Sequence, residues 1–289
     1  MPLKLIDTHA HLQAGVFESD LDALVACARA QGLQSALICA SSPDDWGAAR
    51  DTAHRYGFGY LLGIHPFEAH RTRPADLRAL EARIDAALAD PHFIGVGEIG
   101  LDRVVPLAGD AAAEAVFAAQ LKMARDRSLP VSIHSRKAHD RILAGLKRFP
   151  AASGAVHAFN GSPEDARRFL AFGLRLGFGG SLTYSGSLRI RRTLARLPAG
   201  AWVLETDAPD MPGAGRRAGA ESRGVPPRTE PADLADVCRE AARLRGITAE
   251  AAAEESAAAA CAAFPRLQRL LEDHDFFLGI CNAETERSR

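Results

Sequence analysis

Aromatic residues are scarce in this chain. Thirteen Phe, three Tyr and two Trp amount to 6% of 289 residues, too few to suggest an obvious surface for stacking nucleobases. Cysteine is also sparse. Cys27, Cys39, Cys238, Cys261 and Cys281 are scattered, odd in number and form no CxxC pair, which excludes a disulfide framework and reads as free thiols in a reducing cytosol. No window approaches about 18 uninterrupted apolar residues, so no membrane span is expected. The opening MPLKLIDTHAHLQ has no apolar stretch or small-residue cleavage site of an export signal, so a cytoplasmic location is expected. An excess of one charge is missing too. The formal net charge is -1, which excludes a strongly basic coat while leaving room for a local basic rim. There is no internal repeat at a solenoid period.

What is present is a large, ordinary core, 47% hydrophobic and 25% charged, arranged in a recurring unit. A short apolar run is followed by a turn and then by an alanine-rich helical stretch. Strand candidates are residues 4–11, 35–41, 59–66, 93–102, 130–135, 154–159, 174–180 and 202–209. Helical stretches lie between them, such as Leu21–Gln31, Asp44–His54, Ala111–Arg127 and Pro163–Phe172. Strands alternating with helices imply parallel βαβ units, and eight of them imply closure into a (β/α)₈ TIM barrel. The chain, residues 1–289, reads as one such α/β domain. An open doubly wound sheet is the structural rival, but it would spread along an edge the polar residues that gather at the strands' C-terminal ends. Residues 211–231, rich in Gly, Pro and Arg, read as a loop over the barrel mouth. Helices over 231–246 and 249–271 are expected to complete the outer ring. The tail from about residue 272 has no firm reading.

Candidate chemistry gathers where such barrels place it, at the C-terminal face of the strands. His9 and His11 in THAH are two apart on a strand and point to one side. Glu98 ends the fourth run between glycines that permit close approach. His134, His157 and Asp207 end the fifth, sixth and eighth. Four imidazoles and two carboxylates suit a pair of divalent ions with one carboxylate bridging. Without metal, two buried carboxylates would cost several kcal/mol. Such donors accept zinc, manganese or nickel, and magnesium where imidazoles are fewer. His65, in GIHP, sits at the rim as a substrate contact or a structural hydrogen-bonding residue. Glu205 lies one layer below Asp207 and suits a partner for a ligating histidine or a plain buried glutamate. Asp7 reads as structural. His54, His70, His92, His139 and His274 fall in helices or loops as surface or capping residues.

The set IDTHAHL, GIHP, GEIGLD, PVSIHSR, VHAFNGS, LETDAP and PPRTEP resembles the TatD family of metal-dependent deoxyribonucleases, within the amidohydrolase superfamily. The motifs stand in family order from about Lys4 to Phe264. The resemblance implies that His9 and His11 bind a first metal, Glu98 bridges, and His134 and His157 bind a second. Asp207 would bind the first metal and orient or deprotonate the attacking water. It also implies a DNA substrate and phosphodiester hydrolysis, including exonuclease action. Phosphate positioning falls first to Arg136 and Lys137 and then to Arg228. Phe159 and Tyr184 are the aromatics nearest the expected mouth. Departures from the family pattern are Arg103-Val104-Val105 after GEIGLD, Ala259 in place of a usual Asn, and Thr229 in the usual RNEP. They bear on substrate choice and touch no metal ligand. The alternative reading is a related hydrolase of a small amide, lactone or ester using the same metals.

Overall fold

Runs of Leu, Ile and Val this apolar require cover on both faces of a sheet. They receive it in the computed structural model, which describes residues 3–105 and 109–273. Eight strands form one sheet: β1 (Leu5–Ala10), β2 (Leu33–Cys39), β3 (Gly59–Leu62), β4 (Phe93–Asp102), β5 (Val131–Arg136), β6 (Gly154–Val156), β7 (Leu174–Phe178) and β8 (Trp202–Leu204). Each pairs in parallel with the next in chain order. The ends meet at the β1–β8 seam. There the Asp207 N–H donates to the His9 carbonyl at 2.9 Å, and the His11 N–H to that of Ala208 at 2.7 Å. The Thr8 hydroxyl donates to the Leu204 carbonyl at 3.0 Å. The result is the (β/α)₈ barrel that the alternation implied.

Seven helices return the chain between strands: α1 (Leu21–Ala30), α2 (Trp46–Tyr56), α3 (Pro74–Ala87), α4 (Asp110–Asp126), α5 (His139–Arg148), α6 (Pro163–Ala171) and α7 (Leu188–Arg196). Local chemistry starts them where the sequence marks a cap. At α6, for example, the Ser162 hydroxyl accepts from the Asp165 N–H while the Asp165 carboxylate accepts from the Ser162 N–H.

After β8 the structure departs from expectation twice. The segment read as a loop contains α8 (Ala214–Arg223). Its sequence AGRRAGAESR has three alanines but two glycines and no apolar residue larger than alanine, so it carries a weak helical signal. Tethers hold it instead: Arg216 pairs with Asp233 at 2.5 Å and Glu230 at 2.9 Å, and Thr183 Oγ1 accepts from the Ala214 N–H. The last predicted helix is broken. α9 (Leu234–Arg245) and α10 (Ala249–Ala263) are followed by a separate α11 (Pro265–Asp273), because Pro265 lacks the N–H that would continue α10. α11 leaves the outer ring and closes the N-terminal end of the barrel. Its Leu267, Leu270 and Leu271, with Phe264, pack in one cluster with Ile6, Leu37, Leu61, Ile94 and Val203 from the strands. Arg266 fixes the turn by donating to the carbonyls of Phe93, Leu88 and Asp90. The expected tail lies outside the described residues from 274 onward. Among the described residues no helix is long and apolar enough to cross a membrane.

Candidate metal centre

With the N-terminal end plugged, the open end of the barrel holds a cavity of about 850 Å³. Its floor is made by the strand ends. His9 comes from β1, with His11 one residue past its end, Glu98 from β4 and His134 from β5. His157 lies one residue past β6, and Asp207 three past β8. Two glycines allow this crowding. A Cβ on Gly97 would stand 2.8 Å from the Ser132 Cβ, and one on Gly100, at φ 150°, would stand 2.0 Å from the His134 carbonyl oxygen. Asp207 itself has φ 59°, a left-handed backbone that Asp tolerates better than most residues.

The six side chains sort into two groups that share Glu98. Glu98 Oε2 lies 3.3 Å from both His9 Nε2 and His11 Nε2. Asp207 Oδ1 lies 3.7 and 3.5 Å from the same two nitrogens. Glu98 Oε1 faces the other way, 2.9 Å from His134 Nδ1 and 2.8 Å from His157 Nε2. These separations bracket the ligand–ligand edges of metal shells with bonds near 2.1 Å, about 3.4 Å for a tetrahedron and about 3.0 Å for an octahedron. The donor set therefore fits divalent ions.

The far nitrogens of two rings fix which atom faces the cavity. His11 Nδ1 donates to the Cys39 carbonyl at 2.8 Å, leaving an Nε2 lone pair on the inner side. His134 Nε2 donates to Asp102 Oδ2 at 3.0 Å, leaving Nδ1 to face Glu98. This is the carboxylate–imidazole pairing that orients metal-binding histidines. His9 Nδ1 is 2.8 Å from the Ser132 hydroxyl. Sequence reasoning missed Asp102 and Ser132. The signal was there, since Asp102 shares strand parity with Glu98 and Ser132 with His134.

The carboxylates and imidazoles set one another's charge. Burial alone would raise the Glu98 and Asp207 carboxyls, but the surrounding imidazoles hold Glu98 well below its usual range and Asp207 below its own. Burial would lower the His157 imidazole, yet the Glu98 charge raises it to about 9. Burial and the neighbouring His157 lower His9 to about 4. Asp102 is held at about 2 against burial by His134 and by the N–H groups of Val105 and Val104. One layer down, burial raises Glu205 to about 8. Its Oε1 accepts from the Ala158 N–H at 2.5 Å and stands 3.9 Å from His157 Nδ1, beside that ring but beyond hydrogen-bonding distance.

The remaining expected contacts divide. His65 reaches the cavity, with Nε2 3.3 Å from Glu98 Oε1. Arg136 lines it half-exposed, 3.9 Å from Asp102. Lys137 and Arg228 are not among its lining residues. Arg228 is engaged elsewhere, paired with Asp20 and Glu230 and lying over Phe17, so a phosphate would have to displace those partners. Phe159 is buried against Phe169 and Phe178, and the Tyr184 hydroxyl donates to the Pro212 carbonyl outside the lining. Among the described residues, Phe67 is the Phe, Tyr or Trp that lines the cavity.

Comparison with known proteins bears on this geometry. A family model described as TatD related DNase matches residues 6–265. The chain belongs to the TatD family. A metal-dependent hydrolase of Haemophilus influenzae is 36% identical over 219 residues, 73% of this chain and 83% of that protein. The TatD protein of Klebsiella pneumoniae, named a 3'-5' ssDNA/RNA exonuclease, is 33% identical over 248 residues, 84% of this chain and 90% of its own length. Among solved structures, the TatD homologue YJJV of Escherichia coli K12 superposes with a TM-score of 0.81 at 31% identity, covering 92% of this chain and 99% of that one. The protein is thus a TatD-type metal-dependent hydrolase.

Proposed function

We propose that this TatD-family hydrolase cleaves phosphodiester bonds in single-stranded DNA as an exonuclease, with two divalent ions at the floor of its cavity. The observation that carries the reading is the orientation of Glu98, whose two oxygens face different donor groups 2.8–3.3 Å away. His9, His11, Asp207 and Glu98 Oε2 would hold one ion, and Glu98 Oε1, His134 and His157 the other. Ions bound there, zinc, manganese or magnesium, supply Lewis acidity and activate water near neutral pH, lowering its pKa from about 15.7 toward 7. Asp207, ionised and at the cavity floor, orients the attacking water and accepts its proton. Arg136 positions the phosphate from the rim by charge-assisted hydrogen bonds. The name of the Klebsiella relative supports a single-stranded nucleic-acid substrate, and the scattered cysteines suit a reducing cytosol.

The test is degradation of an end-labelled single-stranded DNA oligonucleotide by wild type and Glu98→Ala, in EDTA and with added Mg²⁺, Mn²⁺ or Zn²⁺. A metal-dependent ladder that disappears in the variant is expected. No ladder with any metal, from protein that still binds metal, would overturn the nuclease reading in favour of a small-molecule ester, lactone or amide.

A further inference from the structure

His65 stands among the metal-facing nitrogens, yet its hydrogen bonding is the reverse of theirs. Its Nε2 lies 3.3 Å from Glu98 Oε1 and 3.4 Å from His134 Nδ1, close enough to complete a donor cluster with those two residues. Distance alone would make it a fourth ligand of the second ion. The other end of the ring says otherwise. His65 Nδ1 accepts the backbone N–H of Phe67 at 3.1 Å, capping the short 3-10 turn Pro66–Glu68. A peptide N–H can only donate, so Nδ1 carries no proton and the proton of the neutral ring is on Nε2. His11 and His134 are opposite cases, since a carbonyl and a carboxylate take their outer protons and leave lone pairs facing the cavity.

The ring is also held in place. It is buried and meets the Phe67 ring edge-on at 4.5 Å. The His65 backbone N–H donates to the Ser41 carbonyl at 2.8 Å. The preceding peptide is clamped by Gln120, which accepts from the Ile64 N–H at 2.7 Å and donates to the Ile64 carbonyl at 3.0 Å. Flipping the imidazole would leave the partly buried Phe67 N–H without its acceptor.

We infer that His65 is a catalytic hydrogen-bond donor: its Nε2–H binds a non-bridging phosphoryl oxygen on the His134 side of the site and does not ligate metal. A fixed donor aimed where charge grows stabilises the transition state more than the ground state, and removing one such donor typically costs about 100-fold or more in kcat. The inference rests on the phosphodiesterase reading above for the identity of the oxygen. The donor assignment itself rests only on the Phe67 and Glu98 contacts.

Two measurements test it. In zinc-loaded protein with ¹⁵N-labelled histidine, long-range ¹H–¹⁵N correlation should show His65 protonated at Nε2 and bare at Nδ1, and added inorganic phosphate should shift its Hε2 resonance. A protonated Nδ1, or a metal-shifted Nε2, would overturn the donor assignment. His65→Asn keeps an acceptor to cap the Phe67 N–H but is too short to reach the phosphate. It should retain the wild-type metal stoichiometry and lose about 100-fold in kcat on bis(p-nitrophenyl) phosphate with little change in KM, while His65→Gln recovers part of the loss. An ion lost from His65→Asn, or an unchanged kcat, would refute the proposal. If wild type cleaves no phosphodiester, the phosphodiesterase reading has failed, and the resonance assignment and metal stoichiometry still decide between donor and ligand.

Discussion

At the residue scale, the chemistry of the cavity is written in the far nitrogens of His11, His65 and His134. Asp102 is the clearest instance. Its Oδ1 accepts from the N–H groups of Val104 and Val105 at 2.7 and 2.9 Å, which leaves Oδ2 aimed at His134 Nε2. Asp102→Ala should therefore leave the fold intact by circular dichroism but weaken metal binding at the Glu98–His134–His157 group by about 10–100-fold. Competition for zinc with a chromophoric chelator reads this directly, and unchanged affinity would show that Asp102 does not orient the ring. The inward-facing histidines and carboxylates were legible in the sequence because strand ends in a barrel converge. Which atom of the His11 and His134 rings points inward was not, because that depends on partners about 30 residues away, Cys39 and Asp102. Arg228 shows the same limit. Its charge was visible, but Asp20, the partner that engages it across 208 positions, was not.

At the element scale, alternation of apolar strands and helices was readable in every one of the eight units, since both faces of a parallel strand must be covered. What failed was the C-terminal region, where α8 depends on Arg216 reaching Asp233 and Glu230 and α11 turns at Pro265 to plug the barrel. α8 has no apolar residue larger than alanine to mark a buried face, and α11 was legible as helix but not its turn onto the barrel end, which tertiary partners set. The loop between β3 and α3 is a further case, with Gln120 of α4 acting on Ile64 as a neighbouring strand would. Gln120→Leu preserves bulk but leaves a buried N–H and carbonyl without partners. At about 1–3 kcal/mol each, the loss of stability in urea denaturation should be about 2–6 kcal/mol, with hydrolysis reduced as His65 shifts. A loss below about 1 kcal/mol would mean that the loop finds other partners.

At the scale of the whole molecule, closing the barrel places a carboxyl where water cannot reach it. Asp7 accepts from the N–H groups of His9 and Thr206 and meets the Thr206 hydroxyl at 2.6 Å across the β1–β8 seam. Burial outweighs these hydrogen bonds and raises it from 3.8 to about 7. A raised folded-state value means that the folded protein holds this proton more tightly than the unfolded chain. Its contribution is complete below about pH 4 and is lost as pH rises to about 7, on the order of 4 kcal/mol in all. Asp7→Asn cannot ionise, so in EDTA its melting temperature should gain on wild type between pH 4 and 7 and keep a constant lead above that. A difference independent of pH would show that Asp7 does not titrate in this range.

The sequence by itself determined the barrel, the family and the set of side chains at the strand ends, because periodicity and strand parity are local properties of the chain. Only the tertiary structure decided which Glu98 oxygen faces which group, that Asp102 holds His134, that His65 stands beside Glu98, and that α11 closes the other end. These depend on distances between residues far apart in the chain, which exist only once the β1–β8 seam has closed.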